Sequence, residues 1–288
     1  MNWKLKAAAF RVLSALRGGE AAHYWMQRHV TRTLPRGAGT HAAILQHARR
    51  FAAAIAEHQA KPLGECVVLE FGAGRDLALA LALRACGVGR VLCVDLAPIA
   101  KIDLIAIAAS RILPDQMPPT SFAGLASQGI EYRAPVDMRA SPLAAASVDC
   151  VVSSEVMEHV GEQDVAAVLR ESARLLRPGG LAVMKIDYSD HYARGNAQHS
   201  RFNFLQYADA DWRRYNSAFQ YVNRLRHCDF VRAFGASGLE VLLEEQTPAA
   251  LDPDLIARLA PRFKSYAPAD LFVQAALIVA RKRGIDRS

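Results

Sequence analysis

From residue 65 onward the chain alternates short runs rich in β-branched residues with stretches of helical hydrophobic period. That alternation restricts it to βαβ units around a mostly parallel sheet covered on both faces. The strands are expected at 66–71 (CVVLEF), 91–95 (VLCVD), 130–135, 148–153 (VDCVVS), 181–186, 239–243 and 271–280. Helices are expected at 76–86, 101–112, 163–176, 229–236 and, briefly, 255–259; the third stops at Arg177-Pro178-Gly179-Gly180, where Pro and Gly cannot continue it. Between 187 and about 223 the period is lost and Tyr, His, Asn, Asp, Phe and Trp accumulate, more than an ordinary connection requires, so this stretch reads as an insertion.

With 288 residues, 52% hydrophobic and 22% charged, the chain has material for one main α/β domain and an appendage. The expected division is a helical lid or appendage over 1–62 and a catalytic-type domain over 63–288, with its insertion at about 188–226. Five cysteines, odd in number and without a CxxC pair, fit a reducing cytoplasm and no zinc. No uncharged apolar run reaches the ~18 residues of a membrane span. The first 17 residues carry Lys4, Lys6, Arg11 and Arg17 around Leu5, Val12, Leu13 and Leu16 with no acid. Such a helix suits a lid, a peripheral foot on anionic membrane, or a targeting segment. The formal charge of +7 is scattered and has no basic block interleaved with aromatics, so no nucleic-acid partner is expected.

The chemistry-bearing residues begin at the first strand-to-helix turn, Glu70-Phe71-Gly72-Ala73-Gly74-Arg75-Asp76. Glycines there let backbone approach a ligand closely. A dinucleotide site aims a helix N-terminus at pyrophosphate and favours a third glycine, whereas this turn carries Asp76 and is preceded by Glu70. A carboxylate at the strand end repels pyrophosphate and suits a ligand bearing ammonium and sulfonium. Asp95 ends the second strand 21 residues beyond Gly74, where a carboxylate can accept both hydroxyl hydrogens of a ribose.

In this order, EFGAGRD, CVDLAP, PVDMRASPLAAASVDCVVSSEVMEHV and RLLRPGGLAVMKI resemble the motifs of class I S-adenosylmethionine-dependent methyltransferases of the type 11 kind, over roughly residues 65–188. The resemblance implies a Rossmann-like three-layer sandwich with seven strands in the order 3-2-1-4-5-7-6, strand 7 antiparallel, and S-adenosyl-L-methionine as cofactor. It places the methionine part against Glu70, Gly72, Ala73 and Gly74, the ribose on Asp95 beside Leu96, the adenine on Asp137 and Met138, and the pocket wall on Ser153 and Ser154. Asp76 stands where the commoner pattern has a third glycine, and is expected either to cap the helix or to narrow the turn.

Methyl transfer from a sulfonium is an in-line displacement, so positioning the acceptor within ~3 to 3.5 Å carries most of the rate. A hydroxyl acceptor must also lose a proton. The candidate bases are His159, His191 and Asp190, with Asp187 beside them, at the carboxyl ends of the fourth and fifth strands. No metal is expected, since Glu155-Val156-Met157-Glu158-His159 is not HExxH. His199, Tyr207, Trp212 and Tyr215 suit a saccharide or other small-molecule acceptor, and Arg201, Arg224 and Arg226 suit a phosphate or carboxylate. The competing readings are an NAD-dependent oxidoreductase and a non-catalytic cofactor-binding protein. A nucleic-acid methyltransferase would carry an Asn/Asp-Pro-Pro-Tyr-like tetrad, where this chain has Ser153-Ser154-Glu155-Val156.

Overall fold

A computed structural model describes residues 3–194 and 199–284. Positions 1–2 of the basic segment, 195–198 of the insertion and 285–288 lie outside the described residues. Three helices come first, α1 (Trp3–Ala15), α2 (Gly19–His29) and α3 (Ala38–His58). The alternation then runs β1 (Val67–Phe71), α4 (Ala78–Ala85), β2 (Arg90–Val94), α5 (Ile102–Ile112), α6 (Phe122–Ser127), β3 (Ile130–Arg133), β4 (Val148–Ser154), α7 (Val165–Leu175) and β5 (Leu176–Asp187). After it come α8 (Asp209–Trp212), α9 (His227–Ala236), β6 (Leu239–Pro248), α10 (Pro253–Ala257), α11 (Pro268–Leu271) and β7 (Val273–Lys282).

The seven strands form one sheet in the order β3-β2-β1-β4-β5-β7-β6, parallel except for β7, which runs antiparallel to both neighbours. The fold is therefore the Rossmann-like methyltransferase arrangement. Both faces of the central strands are buried, and the helices cover them in two layers. Phe51 and Ile55 of α3 join Leu81 of α4 and Ile105 of α5 on one face; Val168 and Leu169 of α7 join Phe230 and Phe234 of α9 on the other. Register brings Glu70 level with Cys93 on one side and Val152 on the other, so β1, β2 and β4 release their chains at the same height.

The helix after the glycine turn starts at Ala78 rather than Asp76. Leu77 adopts a left-handed conformation (φ 48) at the cap position, and the Asp76 carboxylate is drawn away to His41 and Arg36. Asp76 therefore caps nothing. β5 begins at Leu176 and threads Pro178-Gly179-Gly180 into its first part, with an irregular register against β4, and β6 continues five residues past the expected 243 to Pro248.

The insertion has its own small core. Trp3 of α1 packs among Tyr192, Tyr215 and Trp212, with ring centroids 5.5, 4.7 and 6.2 Å away, and Phe202, Phe204 and Phe263 close the cluster. The aromatic faces expected to grip an acceptor are largely spent on one another. Opposite Trp3 and Ala7, α1 leaves Leu5 and Val12 exposed at 66 and 64%, and Leu16, just past its end, is 58% exposed. Arg224 and Arg226 also depart from expectation. Arg224 donates to the carbonyls of Phe204 and Tyr207 and pairs with Asp209, while Arg226, fully buried, donates to the carbonyls of Tyr188, Leu271 and Val273 at 2.9, 2.8 and 3.1 Å. Burial lowers the Arg226 guanidinium to about 10. Arg224 knits the insertion together from within and Arg226 ties it to the sheet at Val273, and neither faces a ligand.

Each carbonyl stranded without a partner costs roughly 1–3 kcal/mol. Arg226→Met should therefore destabilise the protein by more than about 3 kcal/mol in denaturant unfolding, and Arg226→Lys should recover little, because one ammonium cannot span the fork of three acceptors.

Candidate cofactor and acceptor site

The site is built where β1, β2 and β4 end side by side. Gly72 leaves β1 with φ +69, its N–H donating to Val94 O at 2.9 Å, and Gly74 follows with φ +77, its N–H donating to Asp95 Oδ2 at 3.1 Å. A Cβ on Gly72 would lie 2.6 Å from a methyl of Val156, so both conformation and contact demand glycine there. Asp95 is nearly buried; desolvation pushes its carboxyl up to about 6 against the pull of the Gly74 N–H.

Two cavities meet across Gly72. The first, about 320 Å³, is lined by Asp95, Leu96, Asp137 and Met138 together with Val156 and His159. The second, about 350 Å³, is lined by Glu70, Ala73, Gly74 and Ser154, by Thr40 in the first turn of α3 and by Arg36 just before that helix. Leu96, 69% exposed, offers an apolar flank, and Asp137 is held below its ordinary value by Arg139, whose Nη2 lies 2.6 Å from Oδ2. Glu70 is buried, and desolvation, then Asp95 and Asp76, drive its carboxyl well above the usual range. Its nearest partner is the Cys93 thiol at 3.8 Å. Ser153 lies fully inside the core, and Ser154 alone of the pair lines a cavity.

The shape fits a nucleoside bearing a charged amino-acid tail. One chamber has a ribose-height carboxylate and an apolar flank, the next has buried Glu70 for a cation and Arg36 with Thr40 for a carboxylate, and the glycine backbone runs between them. α3 is fixed over this turn by a relay that ends on buried His41 and Asp76. Arg111 Nη1 donates to Arg36 O and to His41 Nδ1, so His41 Nε2 carries the hydrogen that faces Asp76 Oδ2 at 3.3 Å. The contributions of Arg36, His41 and Thr40 were not foreseen. Their only trace in sequence is the i, i+4, i+7 spacing of Thr40, Ile44 and His47 along one helix face.

Beyond β4 and β5 a second group assembles. Glu155 sits in left-handed backbone (φ 57); burial works to raise its carboxyl, but Lys185, whose Nζ lies 2.7 Å away, keeps it low. His159 and His191 come together with ring centroids 4.9 Å apart. His159 Nδ1–H donates to Tyr221 O at 2.5 Å, and desolvation keeps its ring below the ordinary imidazole value despite that bond. His191 is 4% exposed and lies 3.5 Å from Asp187, and Arg194 bridges the two, its Nη2 donating to His191 Nε2 at 2.9 Å. Burial would raise Asp187, but the neighbouring His191 and hydrogen bonds from Ser189 and Arg194 outweigh it and hold the carboxyl well below the usual range. Asp190 is placed differently. Its oxygens accept from Tyr192 N–H at 2.8 Å and Asn203 Nδ2 at 3.3 Å inside the insertion, and burial pushes it up to about 6.

Gly72→Ala should abolish measurable binding of S-adenosylhomocysteine while the protein still unfolds cooperatively; an unchanged dissociation constant in calorimetry would remove the glycine turn from the site. A ribose placed at Asp95 would need the ionised carboxylate as acceptor, and below pH of about 6 that carboxyl holds a proton. Affinity for S-adenosylhomocysteine should therefore fall as pH is lowered through 6, and in Asp95→Asn it should be weaker and flatter across that window.

The family model for a methyltransferase domain matches residues 26–246. No curated protein matches the chain. Among solved structures, a protein from Bacillus halodurans, described without confirmation as a methyltransferase, is similar, with 16% identity, TM-score 0.49, and 81% of this chain and 98% of that one covered. A sarcosine dimethylglycine methyltransferase from Galdieria sulphuraria, so described without confirmation, has 17% identity, TM-score 0.49 and coverage of 83% and 86%. Geranyl diphosphate C-methyltransferase from Streptomyces coelicolor, in complex with Mg2+, geranyl diphosphate and S-adenosyl-L-homocysteine, has 18% identity, TM-score 0.48 and coverage of 86% and 85%. With the family model spanning most of the chain over the glycine turn and both cavities, the chain belongs to the methyltransferase-domain family and is an S-adenosylmethionine-dependent methyltransferase.

Proposed function

We propose that the enzyme methylates a hydroxyl oxygen of a small-molecule acceptor. The observation that supports this is the pairing of His159 with His191 beside the cofactor-side cavity, on the turn after β4 and the segment after β5. Bound S-adenosylmethionine supplies an activated methyl group on sulfur, which needs no further activation by the protein. The chain's own task is to hold the acceptor in line and to help its oxygen lose a proton, a step that an alcohol needs and an unprotonated amine does not.

Each residue of this corner has a part in that task. Tyr221 O fixes the His159 tautomer and leaves Nε2 with its lone pair free. Asp187 and Arg194 fix His191 from the other side. Lys185 and Arg194 are both drawn to Glu155, and Arg194 to Asp187 as well, so the corner is held by charge pairs. The packed aromatics of the insertion speak against the saccharide alternative, because Trp212 is 3% exposed and Tyr207 and Tyr215 pack on it and on Trp3.

The test is release of S-adenosylhomocysteine with matched sets of alcohols, phenols and amines. Phenols or alcohols should be turned over, and His159→Ala or His191→Ala should lower kcat at least a hundredfold. His191→Ala should do so with cofactor affinity kept. Preference for amines, with rates indifferent to both histidines, would remove the oxygen-acceptor assignment.

A further inference from the structure

Glu158 is the odd group of this corner. It is 1% exposed, and neither carboxylate oxygen has a hydrogen-bond partner. Burying an ionised carboxylate with nothing to compensate it is expensive, so such a group awaits a cation or a proton. Its neighbours decide between them: one ligand-capable atom each from Glu158, His159 and His191 lie within 4.8 Å of one another.

We infer that Glu158, His159 and His191 form a binding site for a divalent first-row metal ion. Two imidazoles and one carboxylate suit borderline ions such as Mn2+, Fe2+, Co2+ or Zn2+ better than the oxygen-seeking Ca2+ or Mg2+. Three protein ligands leave coordination positions open, and His159 lies at the exposed edge of the group, toward the cavity.

The supporting shell is already in place. The bond from His159 Nδ1–H to Tyr221 O commits that ring to offering Nε2, the usual arrangement of a ligating histidine. Asn223 clamps the backbone that carries two of the ligands. Its Nδ2 donates to Met157 O at 2.9 Å and Val160 O at 3.0 Å, and its own N–H donates to Glu158 O at 2.8 Å. Asp187, 3.5 Å from His191 Nε2, adds a second negative charge, and the cation now resting on that pair is the half-exposed Arg194 guanidinium. Around an ion with bonds of about 2.1 Å, adjacent ligand atoms stand roughly 3 to 3.4 Å apart, so the three side chains need draw in by only about 1.5 Å.

An ion there would hold the acceptor oxygen, and His159 Nε2, bound to the ion, would then not take the proton itself. Coordination lowers the pKa of a bound hydroxyl; its proton leaves to solvent at the exposed edge, and the oxygen lone pair attacks the methyl carbon while the carbon–sulfur pair returns to sulfur. This role rests on the hydroxyl-acceptor reading above, whereas the ion site itself does not.

The experiment is titration of untagged, chelator-treated protein with Co2+, read by visible d–d absorption and by calorimetry. One equivalent should bind, and Glu158→Gln and His191→Ala should each weaken it at least tenfold while binding of S-adenosylhomocysteine, measured on the same samples, stays intact. His29→Ala, on the surface of α2, should leave Co2+ binding unchanged. Absence of saturable binding, or binding that both site variants retain, overturns the inference and leaves Glu158 as a buried neutral acid. Co2+ binding without turnover of any alcohol or phenol would count against the oxygen acceptor and not against the ion; turnover of alcohols by protein that takes up no Co2+ would do the reverse.

Discussion

The crowding of carboxylates at the ends of β1 and β2 is the interaction on which the cofactor site depends. Glu70, Asp76 and Asp95 lie close enough that Asp95 and Asp76 both raise Glu70, and all three are buried to 5% exposure or less. Asp76 pairs with Arg36 and faces the N–H of His41, and the same Arg36 pulls only weakly on Glu70. Desolvation leaves Asp95 near 6 and Glu70 well above its ordinary value, so without ligand the pocket stores unfavourable electrostatics that a positively charged ligand relieves. A pyrophosphate in the same place would make them worse. Acidic Glu70 thus discriminates between methyl donor and dinucleotide more sharply than the glycines, which serve either.

The glycines govern distance rather than sign. Gly72 brings its N–H to Val94 O and leaves room for Val156 on its other side, and only a residue without a Cβ does both. Val156 in turn belongs to the turn that carries Glu158 and His159. One contact therefore joins the donor pocket to the corner proposed for the acceptor, and a shift of the glycine turn would be felt there within a single layer of side chains.

Much of the sheet was legible because buried parallel strands are written as continuous apolar runs, and CVVLEF, VLCVD and VDCVVS admit few other uses. The resemblance supplied the strand order, and the observed order agrees with it. What could not be read were long-range satisfactions of polar groups. Nothing local marks Arg226 as a donor to Tyr188, Leu271 and Val273, up to 47 residues away, or His41 as the partner of Asp76 across 35 residues. Arginines and aromatics dense in a loop look like ligand-binding equipment, and the same residues also pack a small subdomain well. Trp3, outside the insertion, settles the choice here by completing its aromatic core.

That outcome changes what the insertion is for. Its side chains are occupied with one another, but its backbone reaches out. Tyr221 O orients His159, the Asn223 side chain closes the turn of 157–160, and Asp187 and His191 enter from the segment where β5 gives way to the insertion. The candidate donor groups lie at the sheet ends, where strand register sets their positions, while the proposed acceptor corner hangs on contacts between a loop and the turn after β4. A family that keeps one cofactor and varies its acceptors can alter the second set of contacts without touching the first, because no strand of the sheet must move to let the loop change.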